Sequence, residues 1–573
     1  MLTTRREFLK QISVGVASLT AAWMLEGCQA AGISTATARA APTPTSNFQS
    51  PTSNFQSPTS NLHSPTSNLQ PAARISVDIS RVVGKCDAKL WGNLGFDPMY
   101  WHTVSPSTQP VWEMIRESHA FRYIRCHNLF SDAAPNTRPN QIYGCRVYSE
   151  DASSAPRYNF QYLDEVLDIW LRAGLKPILE MDFMPDALAE GTIVRNYGGG
   201  AINTPRDYGK WREMIYHTVK HLIARYGADE VRSWYFEIWN EPDLTRYFID
   251  GLEGGERFTP ERLARFCKMY DYFVGGATAA DAQVKVGGPG IAGREDFLRI
   301  FLDHITSGTN AVTGKRGTRA DFISWHGYGT SYGLLENNRK RRALLQRYPT
   351  LANVEVHQNE WGQTINPLDQ GQNATVLSEY DAAFLCRSID NNFENADARV
   401  DLFLRWGQMV DGWRAHTRQF AGVNVPLPIF NAYLLLGKLG PERIAVEHAQ
   451  TGANVRAFAA RRGTNSAQIV VYRFEEKNMD SVGEPVGVEL AVRGLSGASL
   501  PMKLYRIDRE HANAYRAWLA LGSPRQPTRA QAEEIAAKAK LVPETRAVAI
   551  ESDAVRVPLT LPPNGMASVM LGE

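Results

Sequence analysis

The chain has 573 residues, enough for one large domain and a smaller one, each with its own apolar core. Its 62 basic and 60 acidic side chains leave a net charge of +2, and no basic block stands out, which argues against a nucleic-acid partner. The six cysteines (28, 86, 126, 145, 267 and 386) form no C-x-x-C pair and no metal-ligand spacing with histidine, so no metal is expected; whether Cys126 and Cys145 pair stays open.

In chain order, the first segment is a targeting signal. Thr4-Arg5-Arg6-Glu7-Phe8-Leu9-Lys10 precedes an apolar stretch over 12–25, the pattern of a twin-arginine export signal, and the stretch is short for a membrane span. Leu25-Glu26-Gly27-Cys28 reads as a lipoprotein box that would leave Cys28 lipidated, with Glu26 in a position where such boxes carry a small or apolar residue. Ala38-Arg39-Ala40 offers an ordinary signal-peptidase site. Residues 1–40 are therefore assigned to export: the protein is expected at the cell surface, in the periplasm or secreted, with the lipid anchor the favoured fate. Within 41–73, four heptapeptide copies (44–50, 51–57, 58–64, 65–71) each begin Pro-Thr-Ser-Asn. One apolar residue and one proline per copy preclude a coiled coil and predict a polar, disordered spacer.

From residue 74 strands and helices alternate. Candidate strands at 90–95, 123–127, 176–181, 234–240, 285–288, 322–326, 354–358 and 402–406 are separated by amphipathic stretches such as 162–173 and 211–225. Eight βα units over 88–440 predict a (β/α)8 TIM barrel, with chemistry at the C-terminal strand ends. Short strands at 455–460, 467–474, 487–492, 502–506 and 567–571 predict a β-sandwich over 441–573, with a helical insertion around 511–521 and 529–539. The segment 74–87 has strand character but precedes the barrel, and is expected to join the sandwich. The fold class is thus α/β, a TIM barrel followed by a β-sandwich.

Two strand ends carry the chemistry. Trp239-Asn240-Glu241-Pro242-Asp243 and Asn359-Glu360-Trp361 each place one carboxylate where an apolar run stops, on the fourth and seventh barrel strands. Two carboxylates on different strand ends are the minimal equipment for cleaving a glycosidic bond: one protonates the leaving oxygen, the other attacks the anomeric carbon or activates water. Thirteen Trp and 22 Tyr serve either aromatic-rich packing or stacking on sugar rings. Gly288-Pro289-Gly290-Ile291-Ala292-Gly293 matches the dinucleotide fingerprint, but Pro289 lies inside the turn and no acidic residue ends a second strand at the required offset. It reads as the loop of the fifth barrel strand, and no cofactor is expected.

Taken together, the segments Phe121-Arg122-Tyr123-Ile124-Arg125-Cys126-His127, Leu175-Lys176-Pro177-Ile178-Leu179-Glu180, Phe183-Met184-Pro185, Arg225-Tyr226-Gly227, Trp234 to Pro242, Ser324-Trp325-His326-Gly327-Tyr328, Asn359-Glu360-Trp361, Tyr505-Arg506-Ile507-Asp508 and Asn513-Ala514-Tyr515-Arg516-Ala517-Trp518 resemble glycoside hydrolase family 39. That family contains β-xylosidases and α-L-iduronidases. The resemblance spans nearly all of 74–573 and implies a retaining mechanism, with Glu241 as acid/base and Glu360 as nucleophile. It implies that Asn240 bonds the sugar 2-hydroxyl, that His127, His326 and Tyr328 line the sugar subsite, and that Trp361 and Trp406 contact substrate. The chain departs from the family at Cys126, where Phe is usual, at Gly362, where Asn is frequent, and at Gly407, where a hydroxyl residue is usual. The catalytic pair is untouched, but these neighbours bear on which sugar is accepted.

The expected protein is an exported retaining glycosidase acting on an oligosaccharide or polysaccharide, most simply β-xylosidase-like. Glu241 must be protonated before attack and Glu360 ionised. Within the same class stand an α-L-iduronidase-like enzyme, an arabinosidase or an endo-acting exopolysaccharide hydrolase. Outside it stands an inactive sugar-binding lipoprotein, which the presence of both glutamates disfavours.

Overall fold

A computed structural model describes residues 73–572, apart from 98, 133–141, 197, 249–258, 364–373, 413 and 452–453. The export signal, Cys28 and the heptapeptide copies lie outside the described residues. Among the described residues, no helix is long and apolar enough to cross a membrane.

The first strand, β1 (Ala73–Lys85), alternates buried and exposed positions from Ala73 to Ile79 and belongs to a sheet completed only by the end of the chain. The barrel follows: β2 (Asn93–Phe96), β3 (Tyr123–Cys126), β4 (Lys176–Met181), β5 (Tyr235–Ile238), β6 (Lys285–Ile291), β7 (Phe322–Tyr328), β8 (Glu355–Gly362) and β9 (Leu402–Trp406). All eight pair in parallel, and β9 closes the ring on β2. Their residues are almost wholly buried because helices cover the outside and side chains fill the inside.

The helices between them start and face where their sequences dictate. Asp207 accepts the Lys210 amide at the head of Tyr208–Tyr226, and Thr259 accepts that of Arg262 at the head of Pro260–Ala280, where Pro260 needs no donor. Trp211, Met214, Ile215, Thr218, Val219 and Leu222 recur at three and four, so one face of Tyr208–Tyr226 is buried on the barrel.

The C-terminal sheet has the order β15-β14-β17-β12-β11-β10-β1-β13-β16, where β10 is Glu442–Thr451, β11 Val455–Arg461, β12 Ala467–Arg473, β13 Val486–Arg493, β14 Ser499–Ile507, β15 Glu544–Ala549, β16 Ala554–Leu561 and β17 Met566–Leu571. β1 runs parallel to β13 and antiparallel to β10; the other pairs are antiparallel. One set of side chains, including Ile75, Val77, Ile469, Val471, Leu490 and Val557, forms the sandwich core. The alternate set from β12 and β17, including Val470, Tyr472 and Met570, packs into the barrel's helical layer, so β12 is buried at every position. Tyr472 donates to Asp390 at 2.7 Å and Arg516 pairs with Glu379 at 2.7 Å across this junction.

Three sheet strands escape the sequence pattern. β15 exposes five of its six residues, so it carries no apolar alternation. β16 contains Pro558, which ordinarily argues against a strand, but it is an edge strand, where a missing donor is tolerated. β10 mixes charged residues with its buried ones, Ile444 and Ala445. Helices occupy Ala514–Ala520 and Arg529–Ala539, and Thr528 with Gln531 forms a capping box ahead of the second.

Candidate active site

At the barrel's C-terminal end, a fully buried guanidinium organises the carboxylates. Arg125 on β3 donates through Nε to Glu237 at 2.7 Å and through Nη1 to Glu360 at 3.1 Å; Nη2 pairs with Glu180 and lies 3.3 Å from Asn240 Oδ1. Its side chain is 0 % exposed, as are those of Glu180 and Glu237, and charge is tolerated there only because it is paired. Ser324 and Asn359 also donate to Glu237, the latter at 2.5 Å. The Trp406 ring lies 5.5 Å from the Arg125 guanidinium and 4.3 Å from the His127 ring. Gly95 makes room for it, since a Cβ there would fall 2.4 Å from the indole.

Glu360 is held at both oxygens. Oε1 is reached by Arg125 and lies 3.3 Å from His127 Nε2; Oε2 accepts from the Tyr328 hydroxyl at 2.7 Å and lies 3.4 Å from His326 Nδ1. Burial opposes its ionisation, but His326, His127 and Arg125 hold its carboxyl well below the usual carboxylate range. Burial likewise depresses His127, and is overcome by Glu180, 2.6 Å from Nδ1, and by Glu360, which together raise the imidazole well above its ordinary value. The Tyr328 hydroxyl is pushed well up by burial and by Glu360, which keeps it a neutral donor.

Glu241 sits just beyond β5 on a sharp turn, with Trp239 at φ 58° and Glu241 at φ 43°, both in the left-handed region that non-glycine residues rarely adopt. The turn is over-determined. The Glu241 amide donates to Gly290 O at 3.0 Å, Trp239 Nε1 to Tyr247 O at 2.7 Å, and Asp243 accepts the amides of Ala292, Gly293 and Arg294 at 2.8–3.0 Å. Gly290, at φ 61°, lets the β6 backbone approach so closely that a Cβ would lie 3.3 Å from Glu237 Oε1. The glycines that mimic a dinucleotide fingerprint thus end a barrel strand under the acidic turn.

The carboxyl of Glu241 points at the same centre. Its Oε1 lies 3.0 Å from His326 Nδ1, and one oxygen each of Glu241 and Glu360, with a nitrogen of His326, fall within 4.8 Å of one another. Retaining glycosidases hold their two carboxyl groups about 5–5.5 Å apart, and inverting ones about 6.5–9.5 Å. Such a cluster has the donor spacing of a metal site as well, as does His127–Glu180–Asp182. In the second, Arg125 already pairs with Glu180, and burial pushes the Asp182 carboxyl well up while its Oδ1 accepts the Asn128 amide at 2.9 Å.

Of the residues implied by the sequence, Glu241, Glu360, Asn240, His127, His326, Tyr328 and Trp406 gather here. Trp361 does not. It alternates with Glu360 along β8 and therefore points outward, stacked 5.1 Å from Phe384 of the helical layer and tilted 5.0 Å from Phe403 of β9. The His326 side chain is 0 % exposed, against 11 % for Glu241 and 6 % for Glu360. Cys126 and Cys145 are free, buried thiols. Arg125, Glu180, Glu237 and Asp243 were not singled out by sequence reasoning. The signal was a charge at an inward, period-two position of an apolar strand: Arg125 two before His127, Glu180 two after Ile178, Glu237 two after Tyr235.

Two of the family departures, Gly362 and Gly407, share one consequence. Arg414, 2 % exposed, lies where side chains at 362 and 407 would be: a Cβ on Gly362 would fall 1.7 Å from Arg414 Nη1, and one on Gly407 2.2 Å from Arg414 O. Its guanidinium lies 4.8 Å from the ring of Tyr328, and burial brings its pKa down to about 10.

A closed eight-stranded parallel barrel with two converging carboxylates defines a glycosidase of the retaining kind. The sequence profile of glycosyl hydrolases family 39 matches residues 73–554, and the chain belongs to this family, whose members hydrolyse glycosidic bonds with retention. Among its relatives, a β-xylosidase of Geobacillus stearothermophilus is 27 % identical over 452 residues, covering 74 % of this chain and 81 % of the relative. An α-L-iduronidase of Canis lupus familiaris is 30 % identical over 283 residues, 47 % of this chain and 39 % of the relative. The crystal structure of a monomeric β-xylosidase from Caulobacter crescentus shares the fold, with a TM-score of 0.71 at 21 % identity over 87 % of this chain and 99 % of that one.

Proposed function

We propose that Glu241 is the acid/base and Glu360 the nucleophile of an exported, β-xylosidase-like glycosidase. The observation that carries the role assignment is the contrast between the two carboxyls. Glu360 is surrounded by Arg125, His127, His326 and Tyr328 and held anionic, as a nucleophile must be. Among the described residues Glu241 pairs with the buried His326 and with an exposed Arg246 at 3.9 Å, and it is the more exposed of the two. In the first step Glu360 attacks the anomeric carbon while Glu241 gives its proton to the leaving oxygen. In the second, Glu241 takes a proton from water as that water displaces Glu360. Asn240 and His127 stand beside Glu360 to bond ring hydroxyls, with Trp406 as the sugar's platform.

The xylosidase-like reading rests on the β-xylosidase match covering 81 % of the relative, against 39 % and 62 % for two iduronidases. A second reading is favoured by Arg414: a guanidinium over Tyr328 suits a sugar carrying a carboxylate, as an α-L-iduronidase-like enzyme requires. Aryl β-xylosides and aryl α-L-iduronides assayed side by side decide between them. Proton NMR of the first-formed product tests the mechanism, since inverted product would reject it. With Glu241→Ala, azide should give a glycosyl azide of retained configuration, and with Glu360→Ala the inverted azide; the opposite pairing would exchange the two roles. Export rests on Arg5-Arg6 and the following apolar stretch.

A further inference from the structure

The environment of His326 leads beyond the two carboxylates. Its side chain is fully buried beside the two carboxylates. Nδ1 faces two acceptors, Glu241 Oε1 at 3.0 Å and Glu360 Oε2 at 3.4 Å. Nε2 is buried and has no hydrogen-bond partner among the described residues. The nitrogen between two carboxylate oxygens is therefore the one that carries a proton, and it has a single N–H for two acceptors. Arg341, on the helix Ser331–Leu345, donates to His326 O at 2.8 Å and so ties the backbone that carries the ring.

We propose that His326 is a positioning residue whose Nδ1–H turns from Glu360 to Glu241 during the first half-reaction, following the negative charge. This rests on the roles assigned above. Before attack the charge is on Glu360, and Glu241 carries its own proton. As the Glu360 oxygen bonds to the anomeric carbon and the glycosidic bond breaks, the Glu241 proton passes to the leaving oxygen. Glu360 becomes a neutral ester and Glu241 an anion. Glu360 has Arg125, His127 and Tyr328 to hold its charge at the start, whereas the new anion on Glu241 has, as its ion-pair partners among the described residues, His326 and the exposed Arg246. Hydrogen bonds to charged groups are stronger than neutral ones, so the N–H contributes most as Glu241 gives up its proton.

The effect should thus depend on the leaving group and on which atom of residue 326 donates. Single-turnover rate constants are measured at saturating substrate for phenyl and 2,4-dinitrophenyl glycosides of the sugar found in the aryl-glycoside comparison. His326→Ala should slow glycosylation about tenfold to a hundredfold for the phenyl glycoside and less than about threefold for the dinitrophenyl one, which needs little protonation. Asn places an amide N–H near the Nδ1 position and Gln places one near Nε2. His326→Asn should therefore recover most of the phenyl rate and His326→Gln should not. Rescue by Gln instead of Asn would overturn the inference, and so would equal losses for both leaving groups or a rise in KM at an unchanged single-turnover rate. Inverted product from the unmutated enzyme would instead reject the underlying roles, independently of any His326 variant.

Discussion

Replacing Arg125 by Met tests whether one guanidinium holds the site together. Met keeps length and apolar volume and removes the charge. Removing one partner of a buried ion pair costs about 3–5 kcal/mol, because the other charge is left uncompensated. Arg125 serves three carboxylates, yet each keeps another partner: Glu180 has the His127 ring at 2.6 Å, Glu237 the Asn359 amide at 2.5 Å, and Glu360 the Tyr328 hydroxyl at 2.7 Å. The losses therefore do not multiply, and we expect about 3–5 kcal/mol for the whole cluster. The deficit has a pH signature. Without Arg125 the buried carboxyls bind protons more tightly in the folded chain than in the unfolded one, where they titrate near about 4. A folded pKa raised in this way gives stability at low pH that is lost as pH rises, so the deficit should be smaller at about pH 5 than at about pH 8. Urea unfolding followed by tryptophan fluorescence reads both. The acid limb of kcat/KM should move upward too, since Glu360 loses a cation that holds it ionised. A deficit under about 1 kcal/mol, or one larger at pH 5 than at pH 8, would refute the assigned role.

Gly362→Ala should push the Arg414 guanidinium aside, since the new Cβ would lie 1.7 Å from Nη1. On an acidic glycone this should cost about 1.5–3 kcal/mol in kcat/KM, with little change on a neutral one; equal losses on both would mean that Glu360 itself is disturbed. Trp361→Ala should remove about 3–5 kcal/mol of stability and leave KM unchanged, whereas a raised KM at full stability would put the indole on the substrate. Deleting residues 1–72 should leave the melting temperature and turnover of the purified enzyme unaltered, and activity lost with the tail would reject the spacer reading. Arg5→Lys combined with Arg6→Lys should hold the protein in the cytoplasm; export at the normal level would reject the twin-arginine signal.

Local chemistry made much of this protein legible in advance. Alternating apolar runs and amphipathic helices delimit a barrel, β4 and β9 were read to their end residues, and Glu241 and Glu360 stand where their strands stop. These features depend on periods of 2 and 3.6 residues, which a linear chain displays directly. What it does not display is which side chains meet. Arg125, Glu180 and Glu237 lie on three consecutive strands, whose parallel pairing sets Glu180 beside Glu237, and Glu360 on β8 reaches Arg125 because β9 closes the ring on β2. Trp361 and Glu360 are neighbours in sequence, but strand alternation sends one to the cleft and the other to the helical layer. β15 has almost no apolar face, and β16 carries Pro558 among its alternating Val555, Val557 and Leu559, so both emerge as edge strands only in three dimensions. The space that Gly362 and Gly407 leave for Arg414 also belongs to the tertiary structure. The contact of Gly362 with Arg414, about 50 positions on, follows from how strands are ordered around the ring, which no local pattern encodes.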